Sequence, residues 1–196
     1  MEKRKKWLPR SMADHRRYVG AEPMERTLDQ RIIVLHNEGV DRPRHERLDD
    51  VTWLADFVNQ AGIPYHCLWN PTTGQWIQMI PFHKAARSLK GGGMYGGASV
   101  NKAGRAVIQV CVTGFGYRPF TDLDTLKGVS VLAAIAKSWD VPLSFRTRWG
   151  PDANRNRNTW RHDGFHGHCH SPAVGENHLD PARIDYRKLK RALERA

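Results

Sequence analysis

The pattern of apolar and polar positions predicts strands and helices that alternate along most of the chain. Arg31–Leu35 is a β-branched apolar run of the kind that forms a buried strand, and it ends at His36. Residues 107–113 form a second such run. Residues 65–69 and 76–81 predict two shorter strands, and the Pro and Gly between them indicate a hairpin. A further short strand is predicted at residues 143–145.

Three segments have the apolar spacing of amphipathic helices. The apolar positions are Val51, Leu54, Ala55 and Val58 in the first, Val129, Leu132, Ala133, Ala136 and Trp139 in the second, and Tyr186, Leu189 and Leu193 in the third. Asp49 or Asp50 can cap the first helix, and Asp185 can cap the third, where Ile184 and Leu189 fit a hydrophobic staple. The alternation predicts an α/β fold with a mixed central β-sheet flanked by helices.

The length of 196 residues suits one domain. Residues 1–28 are rich in charge and lack apolar periodicity, so they predict a basic N-terminal arm before a domain at residues 29–196. Residues 88–104 hold a glycine cluster and predict a long loop, and residues 150–166 predict irregular structure because they are rich in Asn, Arg and Asp.

The composition points to a polyanionic partner and against cysteine chemistry. Formal net charge is +11, which attracts polyanions, and both nucleic acid and anionic cell-wall polymers meet that requirement. The three cysteines are an odd number, widely spaced, without a CxxC pair. A disulfide framework or a cysteine-based zinc site is therefore not expected.

The basic N-terminus is not followed by an apolar run, so no secretory signal is expected. No stretch of the sequence is long and apolar enough for a transmembrane helix. We therefore expect synthesis in the cytoplasm, and a protein that acts on a cell wall would need a separate membrane-permeabilising protein for its release.

Several histidines and one aspartate lie close together in the sequence just before the last predicted helix. Residues 167–181 contain His168, His170, His178 and Asp180, and His36 ends a predicted strand, where sites of α/β proteins gather. Imidazole and carboxylate are the usual ligands of catalytic zinc, which keeps one position open. This pattern favours a metal site, although adventitious metal binding or a merely polar loop would give a similar segment.

Four separated motifs resemble the type-2 N-acetylmuramoyl-L-alanine amidases, a family that includes phage lysins and peptidoglycan recognition proteins. They are Val34-Leu35-His36, Pro64-Tyr65-His66, Gly167-His168 and Leu179-Asp180-Pro181, in the family's order. The likeness covers about residues 31–193 and is closest to amidase domains of endolysins from phages of actinobacteria. It implies a mixed sheet flanked by helices, in agreement with the pattern of apolar positions.

The resemblance implies roles for particular residues. His36, His168 and Asp180 would hold Zn²⁺, Tyr65 would border the metal, and His178 stands where the family often has a catalytic lysine. Cys111 stands where the family commonly has glutamate, so a general base is missing from that strand. Glu38 is a candidate replacement, and a solvated loop carboxylate is an equally good interpretation of it.

The function implied is hydrolysis of the amide between N-acetylmuramic acid and L-alanine in peptidoglycan, by a bacteriolytic phage endolysin. The expected partner is the anionic cell wall, without nucleic acid or membrane, and the expected state is a monomer. Two alternatives remain. His168, His170 and Asn177-His178 together with the positive charge also suit a metal nuclease of the His-Asn-His kind, and the same fold could carry a peptidoglycan-binding module without catalysis.

Overall fold

The computed structural model describes residues 6–26, 28–38, 50–89, 93–95, 98–113, 119–155, 157–172, 178–181 and 184–196. The strands are β1 Asp14–His15, β2 Glu22–Pro23, β3 Arg31–Glu38, β4 Cys67–Trp69, β5 Trp76–Gln78, β6 Lys84–Ala85, β7 Gly93–Tyr95, β8 Ala98–Ser99, β9 Ala106–Thr113 and β10 Gly164–Gly167. The helices are α1 Val51–Gln60, α2 Val129–Ser138, α3 Arg157–Trp160 and α4 Tyr186–Glu194, with 3₁₀ turns at Phe120–Asp122, Gly150–Asp152 and His168–His170.

Six strands form the central sheet in the order β1-β5-β4-β9-β3-β10. The hairpin of β4 and β5 is antiparallel, whereas β4, β9, β3 and β10 run parallel to one another and β1 runs parallel to β5. The sheet is therefore mixed, and the predicted α/β fold is confirmed. In the parallel part, the carboxyl ends of the strands lie together on one side of the sheet, and His36 lies near the carboxyl end of β3.

The two faces of the sheet bury different helices. Helix α1 packs on one face through its apolar stripe, together with Leu68 and Ile77. Helices α2 and α4 cover the other face, where Ile33 and Leu35 of β3 point. Successive residues of a strand point to opposite faces, so His36 faces away from α2 and α4.

Side-chain caps set the beginnings of α1 and α4. The Asp50 carboxylate accepts hydrogen bonds from Thr52 and Trp53 N–H, and that of Asp185 accepts them from Arg187 and Lys188 N–H. Each cap satisfies two backbone donors that have no partner inside the helix. Ile184 and Leu189, the predicted staple, are both buried, which directs the chain from Asp180 into α4.

The structure differs from the sequence prediction at three places. Residues 150–166, predicted as irregular, contain α3 and the start of β10, an edge strand of the main sheet. The predicted strand at 143–145 is reduced to one parallel bridge between Phe145 and Phe165. Within the predicted loop 88–104, β7 and β8 pair antiparallel. For β10 and for Phe145, pairing with a distant segment rather than local pattern decides the strand, whereas β7 and β8 pair with each other locally.

The described part of the predicted basic arm lies against the domain. β1 joins the main sheet beside β5, and Leu8 and Ala13 are buried in its core. β2 pairs with β6. The apolar residues of this N-terminal segment are few, but Leu8 and Ala13 are buried against the domain. The sequence did not indicate this, because these residues show no helical or strand periodicity. The division of the chain after residue 28 stays a prediction.

The interior is apolar and free of disulfides. Cys67, Cys111 and Cys169 are buried free thiols. Trp69, Trp76 and Trp149 are also buried and pack in the core. Among the described helices, none has the length and apolarity that crossing a membrane requires.

Gly164 is needed where β10 begins. Its φ is +118°, and a Cβ there would collide with the carbonyl oxygen and Oγ of Ser144. Gly62 also has a positive φ, +69°, but a Cβ there meets no atom within 4 Å.

We predict that Gly164→Ala lowers the free energy of unfolding by about 3 kcal/mol or more. The matched Gly62→Ala should cost only about 1 kcal/mol. Urea denaturation measures both, and equal losses would contradict this packing.

Candidate metal centre

His36 stands near the carboxyl end of β3, in the middle of the parallel part of the sheet. The strand pairs on one side with β9, which places Cys111 beside His36, and on the other side with β10. The His36 side chain is fully buried. Hydrogen bonding on both sides of β3 therefore holds this imidazole in a rigid position.

His168 reaches His36 because of the register between β10 and β3. Gly167 pairs with Leu35, so the next residue of the β10 segment arrives level with His36. His168 begins a 3₁₀ turn there, and its Nδ1 lies 3.1 Å from Nδ1 of His36. Gly167 has no room for a side chain, because a Cβ would press on Cys169, Pro181 and Trp149.

Asp180 completes the cluster from the segment before α4. Its Oδ1 lies 3.2 Å from Nδ1 of His168, and its Oδ2 lies 3.7 Å from Nδ1 of His36. Its carbonyl accepts a hydrogen bond from Cys169 N–H at 2.8 Å, and Oδ2 accepts one from Asn37 N–H at 3.3 Å. Both neighbouring strands therefore position this carboxylate.

The three side chains of the cluster are spaced as the ligands of a zinc ion would be. One ligand atom from each of His36, His168 and Asp180 lies within 4.8 Å of the others. Ligands about 2.0–2.2 Å from a tetrahedral zinc are separated by roughly 3.3–3.6 Å, which the observed spacings bracket. Burial raises the pKa of Asp180, but hydrogen bonds from His168 and His178 outweigh it and hold that pKa well below its usual range. The carboxylate is therefore charged, as a metal ligand must be.

Tyr65 contacts the first histidine of the cluster. Its ring meets the His36 ring edge-on with a centroid separation of 4.9 Å, and its side chain is buried. The adjacent His66 anchors this segment: its Nε2 donates to the carbonyl of Lys84, and its Nδ1 accepts from Gln109 N–H. His66 thereby joins β9 to the segment beyond β5 and holds Tyr65 against His36.

His178 lies on the solvent side of the cluster. Its ring stacks on that of His168 with centroids 4.3 Å apart, and its Nδ1 lies 3.5 Å from Oδ1 of Asp180. The side chain is 59% exposed, far more than any of the three clustered residues. The Arg155 guanidinium donates a hydrogen bond to the carbonyl of His178. Nothing in the sequence distinguishes Arg155 from the many other arginines of the chain, so its contact with His178 could not be predicted.

The candidate base Glu38 and the residue that occupies the family's glutamate position, Cys111, lie on neighbouring strands. Glu38 is the last residue of β3 and pairs with Thr113 through the backbone, and its catalytic role stays a prediction. Cys111 is buried beside His36. Cys111 therefore places no carboxylate at that point of β9.

The other histidines of the cluster segment point elsewhere. His170 accepts from Gly167 N–H through Nδ1 and contacts the Arg148 carbonyl through Nε2, so both of its ring nitrogens are engaged. His166 contacts the carbonyl of His162. Burial lowers the pKa of His166 to about 3 and that of His170 to about 4, which keeps both neutral. Asn177, the third residue of the nuclease hypothesis, lies outside the described residues.

Comparison with known proteins identifies the fold. No family model and no curated protein sequence matches the chain. Among solved structures, a selenomethionine AmpD derivative is similar at a TM-score of 0.54 and 19% identity, over 96% of this chain and 97% of that one. The Staphylococcus aureus hydrolase AmiA, solved with its ligand, is similar at 0.53 and 13% identity, over 92% and 80%. The endolysin N-acetylmuramoyl-L-alanine amidase LysCS from Clostridium intestinale has a TM-score of 0.49 at 14% identity, over 93% and 95%. At these identities the likeness to the AmpD derivative and to AmiA shows a shared fold.

We predict that the protein binds about one Zn²⁺ per chain, and that His36→Ala, His168→Ala and Asp180→Ala each abolish this binding. Elemental analysis after dialysis measures the stoichiometry. Zinc at about 100 times its dissociation constant should add about 2.7 kcal/mol to the free energy of unfolding of the wild type. His162→Ala, which removes an exposed imidazole elsewhere, is the control and should bind zinc normally. Unchanged zinc content in the three variants would refute the assignment.

Proposed function

We propose that this protein is a zinc-dependent N-acetylmuramoyl-L-alanine amidase that cleaves bacterial peptidoglycan. The observation that carries the proposal is the convergence of His36, His168 and Asp180 at the carboxyl edge of the parallel strands. The fold shared with AmpD and with the hydrolase AmiA supports it, as do the four motifs of the sequence. Zn²⁺ bound there would supply Lewis-acid chemistry for attack of water on an amide.

We assign the other steps of the reaction, stabilisation of the oxyanion and proton transfer, to residues beside the cluster. The Tyr65 phenol and the His178 imidazole are positioned beside the cluster to donate hydrogen bonds to the negative charge that develops on the scissile carbonyl oxygen. His178 also suits proton transfer to the leaving L-alanine amine, because its ring is exposed beside the cluster and imidazole is the side chain most often used for general acid–base catalysis. Glu38 remains the candidate base.

The biological role we propose is that of a phage endolysin. The surplus of positive charge suits an anionic wall. Such a protein would accumulate in the host cytoplasm and act on the wall as a monomer, after a separate protein has permeabilised the membrane. No specific observation favours the nuclease, since His170 is committed to backbone contacts.

The test is mass spectrometry of the soluble products released from purified peptidoglycan by zinc-loaded protein. We expect stem peptides with a free L-alanine amine and intact glycan strands, because only the lactyl amide is cut. Release should fall at least about 100-fold in His36→Ala, which loses a metal ligand, and should be unchanged in His162→Ala. Cleavage within the glycan or the peptide, or release that persists in His36→Ala, would overturn the proposal.

His178 can be separated from the metal ligands. We predict that His178→Ala slows hydrolysis by a factor of about 100–1,000 while zinc content stays at the wild-type level, since this exposed ring lies outside the donor cluster. His178→Lys should recover part of the rate, because an ammonium also donates hydrogen bonds. If His178→Ala loses zinc instead, His178 is a ligand and the choice of Asp180 is wrong.

A further inference from the structure

Basic residues from three separate segments meet at the edge of the sheet that is remote from the metal centre. Lys6 lies beside the β5–β6 connection, because its carbonyl accepts a hydrogen bond from Phe82 N–H at 3.0 Å. Lys84 lies in β6, which pairs with β2 at Pro23, and Arg26 lies three residues after the end of β2. His83 lies between these cations. We call Lys6, Arg17, Arg26, His83 and Lys84 the arm surface.

Arg17 extends this surface across an aromatic ring. Its guanidinium lies 5.4 Å from the centre of the Trp7 ring, which is half-buried and also stacks on His15 with centroids 5.0 Å apart. Trp7 directly follows Lys6. The Trp7 ring therefore holds the Arg17 guanidinium beside the segment that carries Lys6.

Acidic residues do not neutralise the arm surface. Glu22 and Glu25 beside β2 share the single ammonium of Lys102, which leaves one negative charge against the four cations of the arm surface, and Asp29 is paired with Arg105. Among the described residues, Lys6, Arg17, Arg26 and Lys84 form no ion pair, and Asp14 is the nearby carboxylate outside the pairs named. Partial burial and the charges of Lys6, Lys84 and Arg26 lower the pKa of His83, and no carboxylate opposes them. The field at this surface is positive.

We propose that the arm surface binds a phosphate-bearing polymer attached to the cell wall and so holds the enzyme on its substrate. Repeating phosphates spaced along a flexible chain complement several cations spread over one surface better than a single small anion does. The inference rests on the proposed site of action at the cell wall. It goes beyond the metal centre, because β1 and β3 are four strands apart, about 19 Å.

This separation means that wall binding and amide hydrolysis can be measured independently. Lys6→Gln/Lys84→Gln removes two charges from the arm surface while the backbone hydrogen bonds of both residues remain. Arg191→Gln/Arg195→Gln removes two charges from the end of α4, which packs near β10 at the other edge of the sheet through Tyr186 and Phe145. The two double variants have equal net charge, so a difference between them reports position.

The experiment is cosedimentation of the zinc-loaded full chain with purified walls rich in teichoic acid, before and after hydrofluoric acid removes the phosphate polymers. We expect Lys6→Gln/Lys84→Gln to bind native walls about 25-fold more weakly at low salt, or about five-fold for each cation. The loss should diminish as salt screens the charges. On stripped walls this variant and the wild type should bind alike, and the α4 variant should behave as the wild type throughout.

Hydrolysis of a soluble muramyl peptide should be unchanged in Lys6→Gln/Lys84→Gln, because the fragment lacks the polymer. Equal binding of native walls by both double variants would overturn the inference, as would a loss that persists on stripped walls. A loss confined to binding of duplex DNA would identify a nucleic-acid surface and would also overturn it. If the wild type hydrolyses nothing while wall binding still depends on Lys6 and Lys84, the arm surface stands and the proposed function alone fails.

Discussion

The parallel register between β3 and β10 is the constraint on which the metal centre depends. Phe165 pairs with Ile33 and Gly167 with Leu35, so the chain leaves β10 level with His36. A slip of one residue would turn every side chain of β10 to the opposite face. It would separate the two imidazoles, and Asp180, which is tied to Cys169 through the backbone, would move with His168.

The cluster combines rigid and accessible parts. His36 and His168 are buried on strands or at their ends, whereas Asp180 is 21% exposed and His178 more so. Second partners such as Asn37 N–H on Asp180 and the Arg155 contact to His178 limit the motion of the outer residues. A rigid pair of imidazoles with an open side is the arrangement expected of a catalytic zinc site, which keeps one position for water or substrate.

The distribution of charge and the topology of the sheet reinforce each other. The strands that carry the metal centre lie at one edge, and the N-terminal segment adds β1 and its cations at the other. An insoluble, anionic substrate can therefore contact both regions at once. Attachment at the arm surface would raise the local concentration of scissile bonds without crowding the centre itself.

Local pattern determined much of the fold. The β-branched run before His36 made β3, the Asp50 and Asp185 caps began α1 and α4, and Pro and Gly made the β4–β5 hairpin, because each depends on neighbours in the chain. The family motifs pointed to His36, His168 and Asp180, and the structure brings these three side chains together. Their function as metal ligands stays a prediction.

Tertiary structure alone decided the rest. β10 has four residues, two of them glycine, so neither propensity nor alternation marks it, and pairing with β3 makes it a strand. The basic arm carries little periodicity, yet β1 completes the sheet edge. His168 meets the side chain of His36 and His170 meets the carbonyl of Arg148, both distant in the chain, and local sequence holds no information about partners that only folding brings near.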